Sequence, residues 1–200
     1  MSNLTNPSVD KFTDLGYPST AYLVTSSALV FLMIPGLGLF YGGLAPMRHS
    51  LTLMLTCLLS IAVVTLQWVL WGFSLSFSET SKNGFIGNFQ HAGFSGLGAN
   101  ALLLTAPAVP STAFALYQLQ FACITMAIVF GSVAGRIRMG PAILFMFLWT
   151  TFVYDFVAYW TFSARGWLKN LACLNTVSST PCLLGGLDFA GRNFLFILKL

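Results

Sequence analysis

Long apolar runs separated by short polar stretches dominate the chain, and their lengths decide what they are. Residues 21–40 carry no charge over about 20 positions, the length an α-helix needs to cross the hydrocarbon core of a bilayer. Residues 51–77 form a second uncharged run, in which Gln67 is the most polar group. A third covers 114–135, and a fourth covers 140–160 after a short turn from Arg138. Pro141 suits the first turn of that fourth helix, where its missing N–H leaves no bond unmade. The pattern predicts an all-α membrane protein with four transmembrane helices. From Asp188 a fifth apolar element begins, but it holds Arg192 and Lys199 and reaches only Leu200, so a truncated fifth helix is expected. The expected division is a polar, disordered tail over 1–19, helices one to four over 20–168, a loop over 169–187 and the start of helix five over 188–200.

The polar and small residues inside these runs add detail. Gln118, Phe121 and Thr125 recur at spacings of three and four, which puts them on one face of the third helix, where they can meet a small polar solute. Gly38 with Gly42 and Gly131 with Gly135 are small-xxx-small pairs that let neighbouring helices approach closely in lipid. Pro35 is tolerated at depth where a neighbouring helix shelters the freed carbonyl. Trp68 and Trp71 are expected at the headgroup level. Asp155 is the only acid inside a span; beside Tyr154, Tyr159 and Trp160 it is expected at the far interface rather than buried. Gly36, Gly38, Gly42 and Gly43 come after no strand and lack dinucleotide-loop spacing, so they read as packing glycines.

Composition agrees with the pattern. Charged residues are 7% of the chain and hydrophobic ones 56%, against roughly 25% charged in soluble domains. The net charge of +4 is spread over nine scattered Lys and Arg, with no basic stripe to neutralise successive phosphates, so nucleic acid is not an expected partner. Cys57 and Cys123 lie in apolar runs as packing residues, while Cys173 and Cys182 share one loop and can pair only if it faces an oxidising compartment. No zinc spacing is present, and His91 reads as a solvated loop residue, so neither metal nor cofactor is expected. An enzyme would need clustered His, Asp, Glu or Cys at mid-depth, and the spans offer Asp155 alone. The first helix serves as the uncleaved insertion signal, and Asn3-Leu4-Thr5 is a glycan acceptor if the tail lies outside.

Several stretches also carry a resemblance. They are Pro35 to Leu44 (PGLGLFYGGL), Trp71 to Phe77 (WGFSLSF) with Asn83 to Gly87 (NGFIG) after it, Phe121 to Thr125 (FACIT), Ala134 to Arg138 (AGRIR), Leu148-Trp149 with Val153-Tyr154, and Asp188 to Gly191 (DFAG). In this order they resemble the ammonium transporter family, fungal members especially, from residue 21 to 168 and again over 188–191. The resemblance implies a multi-pass plasma-membrane protein that takes ammonium or methylammonium. It also implies a fold of about eleven helices in two inverted halves, assembled as trimers with a pore in each subunit, of which this chain matches part of the first half. Phe121 matches the family's outer gating phenylalanine, with Gln118 one turn before it. Phe162 stands where the family has a recruiting tryptophan, and Asp188 matches the acid that orders the outer pore mouth. Asp188 reads equally well as a helix N-cap.

Departures accompany the matches. Where the family continues its DFAG motif with glycine and then a pore histidine, this chain has Arg192 and Phe196, and phenylalanine cannot relay a proton. Gly135 replaces a usual glutamate, Phe156 a usual proline, and residues 169–187 a short link. The reading is a truncated ammonium transporter family member, inactive alone, through a partial gene model, a retained intron or a decayed copy. The alternative is a non-transporting partner that assembles with full-length relatives and modulates them.

Basic residues leave the orientation nearly balanced. With the N-terminus outside, Arg48, Arg136 and Arg138 lie inside against Lys11, Lys82, Arg165 and Lys169 outside. The flanks of the first helix decide: acids stand before it, and Arg48 without an acid stands after it. An N-terminus outside is expected, and a cysteine placed near Ser2, with the native cysteines replaced, is predicted to react with an impermeant thiol reagent on intact cells. Labelling only after lysis would reverse the topology.

Overall fold

The computed structural model describes residues 7–81, 84–98, 103–107, 109–132 and 138–166. Among them are four helices long and apolar enough to span a bilayer, matching the four predicted runs. Helix α1 runs Pro7–Leu44, α2 Met47–Phe77, α3 Ser111–Ser132 and α4 Met139–Phe162. A 3-10 turn at Ala92–Phe94 lies in the α2–α3 connection. The start of α1 differs from expectation, since the backbone is helical from Pro7, within the stretch expected as a disordered tail. Proline at the first helical position gives up an N–H that would have no intrahelical partner there. Asn3, Gly135, Arg136, Cys173, Cys182, the 169–187 loop and the element beginning at Asp188 lie outside the described residues.

Helix α1 packs on α2 and α3, and α2 packs in turn on α3 and α4. Burial varies accordingly. In α3, 72% of the apolar window is buried, whereas in α1 the share is 17%, so α1 presents most of its surface outward. A helix that is apolar all round can do this in lipid, where tails are as apolar as leucine and exposure is not penalised. Between the helices lies a core built on Ile34 of α1, Cys57, Val64 and Trp68 of α2, Ala122, Met126 and Ala127 of α3, and Met146 of α4. Cys57 and Cys123 are buried free thiols in this packing.

Of the glycines read as packing residues, Gly38, Gly42 and Gly131 meet a neighbouring helix, whereas Gly36 and Gly43 do not, since an added Cβ there would find nothing within 4 Å. A Cβ on Gly38 would touch Cys57 Cβ at 3.4 Å, one on Gly42 would meet Met54 Cγ at 3.0 Å, and one on Gly131 would sit 2.4 Å from the Tyr41 ring. Each is a point of close helix approach. Neither α2 nor α4 is regular throughout: each contains one π-helical turn, at Trp68–Gly72 and Thr150–Tyr154 respectively. A π-turn accommodates one extra residue and rotates everything beyond it relative to a regular helix.

After α2 the chain folds back over the helix end. Gly87 N–H donates to Leu75 O at 2.9 Å, Asn88 N–H to Ser78 Oγ at 2.6 Å and Ser74 Oγ–H to Asn88 O at 2.6 Å. Helix α4 and the residues just after it hold the same connection from the other side, through Trp160 Nε1–H to Phe85 O at 2.8 Å and Arg165 to Ser81 O at 3.1 Å. Glycine is needed at 87 because an added Cβ would lie 2.3 Å from Leu75 O and 2.7 Å from Ser74 O, both backbone atoms. Gly87→Ala is therefore predicted to destabilise by about 1–3 kcal/mol, as overpacking does. Gly36→Ala, with nothing within 4 Å, should be neutral or slightly stabilising. Thermal unfolding of both variants in detergent checks the contrast.

Candidate functional site

Helix α3 begins at Ser111, whose hydroxyl takes the Gly98 N–H at 3.2 Å and so ties the helix start to the preceding loop. One turn on, Trp68 of α2 donates its indole N–H to Ala115 O at 3.2 Å. That bond corrects the expectation that Trp68 sits at the headgroups, because the residue is fully buried. Its ring meets Phe73, Phe77 and Tyr154 edge-on, with centroids 6.0, 6.3 and 6.2 Å away. The indole bond ties α3 to α2 at this level, and the ring contacts join α2 to α4. Trp71 is likewise engaged across helices, donating to Thr151 Oγ1 at 3.2 Å with its ring 5.3 Å from Phe147.

This anchoring positions the face that the 3–4 spacing predicts. Gln118 and Thr125 are buried, and Phe121 between them is half-buried. Thr125 Oγ–H turns back to Phe121 O at 2.7 Å, which leaves the hydroxyl satisfied within its own helix. Tyr117 stands edge-on to Phe121, centroid to centroid 4.9 Å. A π-face next to a buried neutral amide suits a small cation, since such a contact contributes about 2 kcal/mol once desolvated. Phe162, in the last turn of α4, is also half-buried and packs on the margin of the same core as Phe121. Phe121 and Phe162 both pack against the hydrophobic core and Gln118 is buried, while Asp188 lies outside the described residues.

A second polar group lies between α2 and α4, and here the structure overturns an expectation. Asp155 is fully buried rather than interfacial. Gln67 Nε2–H donates to its Oδ2 at 2.6 Å and also to Thr151 Oγ1 at 3.2 Å, and Ser76 Oγ–H approaches Oδ1 at 3.4 Å. Counting rise along α4 does not reveal this, because α2, not depth, is what covers the carboxyl. Each residue is conspicuous alone, as the one acid in a span and the most polar group of the second run. Their pairing, 88 positions apart, leaves no signal in a single sequence.

His91 is also corrected, from solvated to buried. Its backbone N–H donates to Ser74 Oγ at 2.8 Å, its Nδ1 lies 3.0 Å from Ser95 O, and its ring packs 6.2 Å from Phe73. Burial results from the loop folding over the end of α2. Among the described residues, no group of three His, Cys, Asp or Glu is placed to hold a metal ion.

Four spanning helices around a buried core define a multi-pass α-helical membrane protein. Comparison with known proteins supplies the family. The model of the Ammonium Transporter Family matches residues 21–196, and the chain belongs to that family. It is 41% identical to "Ammonium transporter 1" of Schizosaccharomyces pombe over 166 residues, covering 80% of this chain and 32% of that protein. With "Ammonium transporter MEP2" of Saccharomyces cerevisiae it is 37% identical over 184 residues, 91% of this chain and 34% of that protein. The crystal structure of Candida albicans Mep2 superposes with a TM-score of 0.70 at 35% identity, covering 80% of this chain and 35% of that one. The chain thus spans about a third of the length of these relatives.

The indole bond between Trp68 and Ala115 yields a prediction for this region. Trp68→Phe keeps a ring in the aromatic cluster but removes the second bond to a carbonyl already engaged in the α3 ladder, and should lower stability in detergent by about 0.5–1.5 kcal/mol. An unchanged unfolding midpoint would mean that α3 is held at its height by other contacts.

Proposed function

We propose that the chain supplies the recruiting mouth and first wall of a pore that passes ammonium or methylammonium across the plasma membrane, its N-terminus outside. The observation that carries this reading is the family match over 21–196, with Phe121 and Gln118 on one α3 face as the resemblance requires. Phe121 gives the cation a π-face at the mouth. Phe162 offers a second and weaker one, since a phenyl ring attracts a cation less than the indole it replaces. Asp188 orders the mouth in this reading, and assembly is as a homotrimer or with full-length family members.

Recruitment alone does not move the ion. An isolated ammonium in a low-dielectric interior costs tens of kcal/mol by the Born estimate, and a contact of about 2 kcal/mol cannot offset that. Either polar groups relay the ion or its proton leaves and neutral ammonia crosses, a task suited to imidazoles that exchange protons near neutral pH. Two inverted halves enclose the site in such folds, so a polypeptide of these 200 residues by itself is not expected to conduct.

Two arms test the proposal. A full-length fungal ammonium transporter whose matching segment is replaced by residues 21–166 is expected to restore growth at low ammonium in cells lacking their own uptake. Phe121→Ala in that chimera should reduce uptake by about tenfold or more, the loss that about 2 kcal/mol implies. The 200-residue polypeptide alone should not restore growth. A folded, surface-expressed chimera with no uptake would refute the proposed function, and Phe121-dependent growth from the polypeptide alone would refute the enclosure argument.

A further inference from the structure

The two π-turns, the buried carboxyl and the folded-back loop are linked by geometry. Gln67 and Ser76 both bond to Asp155, yet they stand nine positions apart in α2. At about 100° per residue, an uninterrupted α-helix would place them about 180° apart, on opposite faces. The π-turn at Trp68–Gly72 lies between them. By taking up one extra residue it removes about 100° of rotation, which brings the two side chains to within about 80° of each other. Only then can one carboxyl group reach both.

Gly72 shows how the long side chain gets there. It is five residues after Gln67, the position that stacks above a residue in a π-turn and not in an α-helix. A Cβ on Gly72 would lie 2.7 Å from Gln67 Oε1 and 2.9 Å from Nε2, so the amide lies flat across the glycine on its way to Asp155. On the facing helix, Thr151 within the second π-turn and Asp155 immediately after it take the two Gln67 bonds.

Beyond the turn, the same register aims the serines that hold the α2–α3 connection. Ser74 Oγ bonds to Asn88 O and accepts the His91 N–H, and Ser78 Oγ accepts the Asn88 N–H. Were α2 to relax into a regular α-helix, everything after Gly72 would rotate by about 100° and these hydroxyls would turn away from the loop. The loop itself contains strain that favours release, because Phe94 adopts φ 60°, an unfavourable region for a bulky residue, next to Gly93 at φ 62°.

We propose that Asp155 is a positioning residue for this loop: by clasping Gln67 and Ser76 it holds α2 in its π register, and the α register is the alternative in which the loop lets go. This stands whether or not the chain conducts ammonium. Hydrogen exchange on the full chain in detergent micelles tests it, read on peptides covering 84–98 and, separately, on peptides of α3. Asp155→Leu should speed exchange across 84–98 by roughly tenfold or more, the equivalent of losing its two buried hydrogen bonds to α2, and leave α3 unchanged. Gly72→Ala, which displaces the amide without touching α4, should do the same, whereas Asp155→Asn, which still accepts from Gln67 and can pair with Ser76, should largely restore protection. Unchanged protection of 84–98 in folded Gly72→Ala overturns the proposal, as does an Asp155→Leu effect confined to residues 150–155. If Asp155→Leu does not fold, Gly72→Ala against Asp155→Asn decides alone.

Discussion

A carboxyl group meeting an amide at 2.6 Å between two membrane helices is the contact on which the arrangement of this chain depends. Inside a bilayer a polar group has no water to fall back on, so it must find its partners in neighbouring helices. Asp155 does so in α2, and satisfying it demands that α2 depart from regular geometry at Trp68–Gly72. The far end of α2 inherits that departure, including the directions in which Ser74, Ser76 and Ser78 point. The polar clasp thus orders the apolar packing around it.

The candidate recruiting face shows the complementary situation. Gln118, Phe121 and Thr125 share a face because α3 is regular, with no π-turn among its described residues to disturb the 3–4 spacing. Trp68 ties α3 to α2 through its indole bond, while its edge-on ring contacts join residues of α2 and α4. The candidate face is thus carried by a regular α3 that is tied to an irregular α2 through a fully buried tryptophan.

The chain belongs to the Ammonium Transporter Family while spanning about a third of the length of its relatives, so the described helices are a portion of the fold those relatives display. Helix α1 bears exposed Leu29, Leu32 and Leu39 on its outward surface. Leucine there is compatible with either a neighbouring helix or lipid, because burying it against another helix gains little over lipid.

The sequence by itself determined the number of apolar spans and their approximate limits, because a bilayer imposes a length and a hydropathy that each segment must meet alone, whereas the structure decided which glycines pack: Gly38, Gly42 and Gly131 do, Gly36 and Gly43 do not. The sequence also determined that Gln118, Phe121 and Thr125 share a face, since the helical period within one segment requires it. The motif blocks pointed to the family, and the comparison bears them out. Only the tertiary structure decided where Asp155, Trp68 and His91 reside. Each was read from its own neighbourhood as interfacial or solvated, and each is buried because a distant element covers it: α2 and Gln67 over Asp155, α3 and Ala115 over Trp68, the end of α2 beneath His91. The two π-turns belong with these. Nothing in WVLWG or TTFVY dictates an extra residue in the turn; the need for it arises when one buried carboxyl must be reached from two places on a single helix.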